Sequence, residues 1–344
     1  MAVDLALLAD AKRLLFAIPL KPLLGSRFQP TGFPNLGAAT FQSAEGACLL
    51  VESAQSMANR LELTIWDEVS QDLKADLNGL SHVRVLRTEK GQAEVRFLTD
   101  TVLESHRLNS PYLLEESSKK FFNELKNALG GLETGPIDRK KFAEILLKYD
   151  VGSLLHGVFL AKKDLAGGRL RVARALSAFI EANGVRVAAS GGVKNDHVNP
   201  SGVTKDGFGN VPFARDEFTA DSIDLNVILD LAQIRGYGLG EDVNRLLILL
   251  ALYKLRALLD GGMRLRTACD LTVATTDVIA ARAPVDFVLP TLTELTAALR
   301  PAIGACISLM TVTQADFNDE FKKGKSEADS KTDDSDDDEI APGV

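Results

Sequence analysis

Residues 184–215, GVRVAASGGVKNDHVNPSGVTKDGFGNVPFAR, constrain most strongly what this chain can fold into. Gly191, Gly192, Gly202, Gly207 and Gly209 would be costly in a rigid core, because glycine loses more backbone freedom on folding than any other residue. Val185, Val187 and Ala189 alternate with Arg186 and Ala188 as a strand does, and Ile223, Leu225, Val227 and Leu229 resume period two afterwards. The stretch between reads as a projection, placed at 190–222. A second hairpin near 83–98, with its turn around Gly91, is the competing projection. From Leu160 to Arg215 there are nine Lys/Arg against four Asp/Glu, a local charge of +5 in a chain of net charge -8. Such a patch is either a solvated loop or a surface for a polyanion, and a phosphate backbone would suit it.

The negative total is concentrated at one end. Residues 316–344 hold eleven Asp/Glu and four Lys, which leaves the rest of the chain near neutral. That end has few apolar residues to repay ordering entropy and is expected to be a disordered acidic tail. Cys48, Cys269 and Cys306 lie far apart and outside any close Cys/His set, so neither a zinc site nor a disulfide framework is suggested. Three unpaired cysteines fit a reducing compartment. Asp4 and Asp10 interrupt the first apolar stretch, and no uninterrupted apolar run is long enough to span a membrane. The expectation is a cytoplasmic protein with no membrane partner.

Periodicity predicts a short helix over 4–16 ended by Pro19 and Pro22, and a helix over 49–61. It predicts strands at 82–86 and 94–98, and a helical region at about 113–150 opened in its second half by Pro136. Residues 153–161 read as a buried strand, 170–182 as a helix with Arg171 and Arg174 turned outward, and 241–259 as the strongest helix, stopped by Gly261-Gly262. Residues 264–271 read as one strand with Arg264 and Arg266 on a shared face. The order of elements suits an α+β fold with helices on one sheet face and an open polar face opposite.

Several long blocks resemble one family. They are GSRFQPTGFPNLG at 25–37, LLVESAQSMANRLE at 49–62, SPYLL at 110–114, LLHGVFLA at 154–161 and RVARALSAFIEA at 171–182. GGVKNDHVNPSG at 191–202, GFGNVPFARDEFTA at 207–220, DLAQIRGYGL at 230–239 and RLRTACDL at 264–271 continue the series. In these the chain resembles the backbone subunit of the type I-G (formerly I-U) CRISPR surveillance complex, in the RAMP superfamily. The resemblance implies a modified RNA-recognition (ferredoxin-like) palm over 1–315, with a β-hairpin thumb and helical insertions. It implies a non-catalytic scaffold that polymerises head to tail along the CRISPR guide RNA and shapes it for pairing with a target DNA strand. The implied partners are further copies and the other type I-G effector subunits, with no cofactor.

For such a role the cations and apolar residues of the excursion are the first candidates. Lys194, Lys205 and Arg215, with Asn195, would contact phosphates, which positions a strand without reading its sequence. Phe208 and Phe213 would stack on or wedge between bases, or else anchor the hairpin. Outside it, Arg27 and Gln29 follow Gly25 at the end of an expected extended segment. Gln55, Asn59 and Arg60 share the polar side of the 49–61 helix, and Arg264 and Arg266 would offer two guanidinium forks from one sheet face. The enzymatic rival is a metal-dependent ribonuclease using Asp196 beside His197. Neighbours on an extended chain point oppositely, and only Asp196 and Asp206 supply carboxylates in this loop. His156 reads as a satisfied core histidine. A third class is an adaptor acting through the acidic tail.

Overall fold

The computed structural model describes residues 3–33, 37–44, 46–89, 94–206, 208–275 and 278–321. The strands used below are β1 (Arg13–Pro22), β2 (Thr40–Ser43), β3 (Gly46–Glu52), β4 (His82–Thr88), β5 (Val95–Asp100), β6 (Leu176–Asn183), β7 (Arg186–Lys194), β8 (Val211–Thr219), β9 (Ser222–Asp230), β10 (Met263–Arg266), β11 (Cys269–Val273) and β12 (Val312–Asp316). The principal helices are α1 (Ala54–Leu63), α2 (Lys120–Ala128), α3 (Arg139–Tyr149), α4 (Glu241–Gly261) and α5 (Leu292–Cys306).

Seven strands form one antiparallel sheet in the order β10-β11-β1-β9-β6-β3-β2. Its core face follows from strict alternation. Leu14, Phe16, Ile18 and Leu20 of β1, Leu225 and Val227 of β9, and Ala178 and Ile180 of β6 are all buried. α1 lies across β6, α4 packs on α1, and α5 packs on α4, so the helices cover one face of the sheet. β12 pairs in parallel with β4, which pairs with β5 in a separate three-stranded sheet. The architecture is α+β, an antiparallel sheet with helical insertions.

Two helical expectations are corrected. The segment 4–16 has only a short turn at Ala6–Leu8 before it enters β1. Pro19 does not end a helix but sits within that strand, where its carbonyl takes the Ala274 N–H at 2.8 Å. The segment 170–182 holds β6, which is hydrogen-bonded on both sides, to β9 and β3. Leu176, Phe179 and Ile180 fit a helical stripe, but Leu176, Ala178, Ile180 and Ala182 fit a strand equally well, and pairing on two edges overrides helix propensity. The expected strand at 153–161 is a helical turn, Gly152–His156, followed by the short strand Val158–Leu160. The 264–271 segment is a hairpin, β10 and β11, rather than one strand. The 49–61 reading merges the end of β3 with α1, which Ser53 caps by accepting from Ser56 N–H. Residues 316–321, expected within the tail, continue the body: β12 ends at Asp316 and Phe317 is buried. The stretch Leu292–Leu309 has the length and mean hydropathy to cross a membrane although Glu294 and Arg300 interrupt it, and Leu295, Leu299 and Ile303 of α5 are buried beside α4.

The helical region is joined to the sheet layer by a buried cluster of charges. Lys254 of α4 lies 2.8 Å from Glu62 Oε2 of α1, and its Nζ is 3.1 Å from His156 Nε2. Arg107 Nε approaches Glu62 Oε1 at 3.6 Å. Burial, then the neighbouring cations Lys254 and Arg107, push the His156 imidazole well below its usual range. His156 is therefore a neutral core histidine that accepts from the ammonium, but it is not the satisfied histidine expected from sequence, because its buried Nδ1 has no partner among the described residues.

Asp150, at the end of α3, accepts from Ser153 Oγ at 2.5 Å and is wholly buried. Burial and the nearby Glu62 carboxylate push its pKa up to about 6. Folded Asp150 then holds its proton between its ordinary carboxylate range and about 6, where the unfolded chain has already lost it. Stability from this group is present at low pH and falls by about 3 kcal/mol as pH rises from about 4 to 6. Asp150→Asn keeps an acceptor for Ser153 and removes the titration. Its stability relative to the parent is expected to grow across that window and then level off. Urea midpoints measured from about pH 4 to 7 test this, and a flat difference would contradict it.

Candidate nucleic-acid interface

β7 and β8 form a two-stranded ribbon of their own, from Arg186 opposite Thr219 to Lys194 opposite Val211, joined to the rest, among the described residues, by a single bridge between Phe218 and Phe28. No residue of β7 is buried, and in β8 only Glu217 and Phe218 are. The hairpin therefore stands out from the main sheet, with its base at 186–219 and its tip at 195–210. The segment 190–222, read from sequence as a projection, overlaps this hairpin. The rival at 83–98 is instead built into the sheet with β12, and residues 90–93 of its turn lie outside the described residues.

The base is fixed by backbone and charge. Phe28 and Phe218 exchange N–H···O bonds of 2.9 Å in both directions. Arg215 donates to Glu217 Oε1 through Nε at 3.0 Å and Nη2 at 2.7 Å, and Arg27 Nε lies 4.0 Å from Glu217 Oε2. Burial pushes the Glu217 carboxyl up, but bonds from Arg215 and Ser190 outweigh it and hold it below the usual range. Arg186 pairs with Asp221 at 2.8 Å.

Asp196 organises the tip. Its Oδ1 accepts the N–H groups of Val198 and Asn199, and its Oδ2 accepts that of Gly209, each at 2.9 Å. The amides of Asn199, Gly209 and Val198 hold its pKa below the ordinary carboxylate value. Gly209 has φ +80°, and a Cβ there would meet Gly202 O at 2.5 Å, so glycine is required for this close approach. Its carboxylate thus braces a loop rather than facing an open metal site. Among the described residues no group of three or more His, Cys, Asp or Glu is placed to hold a metal ion.

Around the braced tip, Lys194, Asn195 and Lys205 are exposed, and none of them has an ion-pair partner among the described residues. Phe208 is 55% exposed and Phe213 41%, an unusual fate for two phenylalanines in a loop this polar. Phe213 lies over Gly192, where a Cβ would sit 3.3 Å from its ring. Beside the hairpin base is an open cleft of about 440 Å³ lined by Gln29, Pro30, Thr31, Gly32, Asp216 and Arg266, among others.

Three of the expected contact residues are instead committed internally. Arg266 donates to Gln29 O at 2.8 Å, to Val51 O at 3.3 Å and to the Glu52 carboxylate. Arg60 reaches Leu265 O at 2.7 Å and lies 3.5 Å from Glu52. Arg215 is paired with Glu217, as above. Glu52, buried at the end of β3, is the hub that draws Arg60 and Arg266 inward. A buried carboxylate binds nearby cations before any outside phosphate does, and the sequence shows only a lone Glu before the Ser53 cap. Arg264 keeps an exposed side chain, separated from Arg266 by a register shift. Gln55 and Asn59 are exposed and bonded to each other at 3.2 Å, and Gln55 also accepts from the partly buried Arg174. Arg27 is half exposed and Gln29 partly so.

Comparison with known proteins gives three findings. A search of curated proteins returns no match. Among solved structures, the chain is similar at low level to a chain of a "CRISPR RNA-guided surveillance complex, pre-nicking", with TM-score 0.36, 15% identity, and coverage of 76% of this chain and 75% of that one. It is likewise similar to Thermofilum pendens Csc2, with TM-score 0.33, 10% identity, and coverage of 90% and 80%. Residues 14–187, just over half of the 344, match the family described as CRISPR-associated protein GSU0053, and the chain belongs to that family.

Proposed function

We propose that this protein is a non-catalytic backbone subunit that binds CRISPR guide RNA, its β7–β8 hairpin acting as the thumb on an RNA-recognition-like palm. The observation that carries this reading is the braced tip, which offers Lys194, Asn195, Lys205, Phe208 and Phe213 outside the core. Family membership supplies the CRISPR setting. Lysines on a phosphate chain and aromatics against base faces give binding that ignores sequence, as a guide with changing spacers requires. Arg27, Gln29, Gln55, Asn59 and Arg264 are the secondary contacts in this reading. Copies assemble head to tail along the guide, a heterologous contact that extends rather than closes. The bases stay free to pair with a target DNA strand, and the other type I-G subunits complete a cytoplasmic complex.

The test is affinity for guide-length RNA across a salt series. A plot of log K against log salt should fall steeply, with a slope of about -0.7 per phosphate neutralised on a single strand. Lys194→Ala and Lys205→Ala should each flatten it by roughly that amount without changing preference among RNA sequences. A slope near zero for the unaltered protein would defeat the reading.

Asp196 separates binding from cleavage. Asp196→Ala leaves three amides of the tip without their acceptor, so hydrogen exchange there should quicken and RNA affinity should drop about tenfold. Asp196→Asn, which keeps one acceptor oxygen, should lose less. Cleavage of complementary RNA by the assembled complex with Mg²⁺, abolished by either variant, would restore the nuclease alternative.

A further inference from the structure

The last described residues lie against the helical region, far along the chain from the hairpin. β12 packs against α2. Beyond it, Asp319 accepts from Ser117 N–H at 2.8 Å and from Ser117 Oγ at 2.7 Å. Phe321 stacks on Phe317 with ring centroids 6.0 Å apart and covers the Arg87 guanidinium at 4.0 Å. The chain therefore leaves the described structure near the start of α2.

The remaining residues, 322–344, carry eight Asp/Glu, six of them in the block 333–339. α2 begins beside an exposed Lys119 and turns Lys120 and Lys126 to solvent as well. Among the described residues none of the three is ion-paired; Lys119 only faces the Phe122 ring at 5.8 Å. Asp333 is twelve residues beyond Phe321. A polar chain of that length spans about 20 Å on average, and the nine residues of α2 run about 13 Å. A segment tethered at that distance would meet these lysines at high effective concentration.

We propose that the acidic block 333–339 docks on the lysine face of α2, Lys119, Lys120 and Lys126, as an intramolecular polyanion. It covers these three lysines, at a place separate from the β7–β8 hairpin. Each exposed ion pair is weak alone, so the contact depends on several acting together and dissolves with salt. The proposal does not rest on the RNA-binding reading, because its test needs no nucleic acid.

The full chain, free of nucleic acid, is treated with a carbodiimide that joins carboxylates to lysine amines, and peptides from the monomer band are mapped by mass spectrometry. At about 0.05 M salt, Asp and Glu of 333–339 should link to Lys119, Lys120 and Lys126, and the yield should fall at least about fivefold at 0.5 M. Combined Lys119→Glu, Lys120→Glu and Lys126→Glu, at exposed positions that leave the circular dichroism unchanged, should abolish preferential docking. Acidic-block links that favour Lys194 and Lys205, occur only between copies, or are missing from the monomer would overturn the proposal. So would links spread evenly over surface lysines before and after the triple change.

Discussion

Replacing Lys254 by methionine is expected to cost about 3–5 kcal/mol of folding stability, the largest single-residue effect in this protein. Lys254 is fully buried in α4, and its ammonium is 2.8 Å from the Glu62 carboxylate. Methionine keeps the unbranched bulk and removes the charge. Glu62 is then left buried, with Arg107 at 3.6 Å as its remaining cation and His156 neutral. The penalty is the desolvation of that orphaned carboxylate rather than the worth of the ion pair. The double variant distinguishes this from simple loss of packing. Adding Glu62→Leu to Lys254→Met should recover most of it, since an apolar pair removes both charges together. Urea unfolding of both single variants and the double variant measures this as a cycle. A Lys254→Met protein within about 1 kcal/mol of the parent would show that the cluster is solvated in ways its burial does not suggest.

Deleting the hairpin tip should produce the opposite pattern, with binding lost and fold kept. Residues 195–210 can be replaced by Asn-Gly, since Lys194 and Val211 are already paired and a two-residue turn of that sequence closes an antiparallel ribbon. The replacement removes Asn195, Lys205 and Phe208 at once. Aromatic stacking contributes about 1–3 kcal/mol per base, and a phosphate contact adds to it, so RNA affinity should fall at least a hundredfold at fixed moderate salt. The core should be indifferent, because the tip buries almost none of its side chains. Fluorescence anisotropy with a guide-length RNA, alongside a thermal melt, reads both quantities. Affinity within threefold of the parent with an unchanged melt would remove the hairpin from the RNA site.

The two predictions concern residues that differ in how far the sequence revealed them. The glycine-rich, basic excursion was visible because its chemistry is local: glycines, lysines and turn residues follow one another along a dozen positions and exclude a core. Its flanking strands were visible for the same reason. The Glu62, Lys254, His156 and Arg107 cluster was not, since its members come from four separate elements, and a lysine inside the helical pattern of 241–261 looks like any surface lysine. Arg60 and Arg266 were misjudged for a related reason. Their exposure depended on Glu52, which is distant from Arg266 in sequence and draws both inward.

The sequence by itself determined that the fold is α+β, that a cationic hairpin projects near residue 200, and that a long helix starts at Glu241, because each follows from neighbours within one turn or one strand. Only the tertiary structure decided that 176–183 is a central strand, since an alanine-containing segment compatible with either period is settled by the edges that β3 and β9 offer it. It also decided which cations remain free and that Asp196 braces a loop, because a charged group's availability is set by the partners that folding brings within about 3 Å.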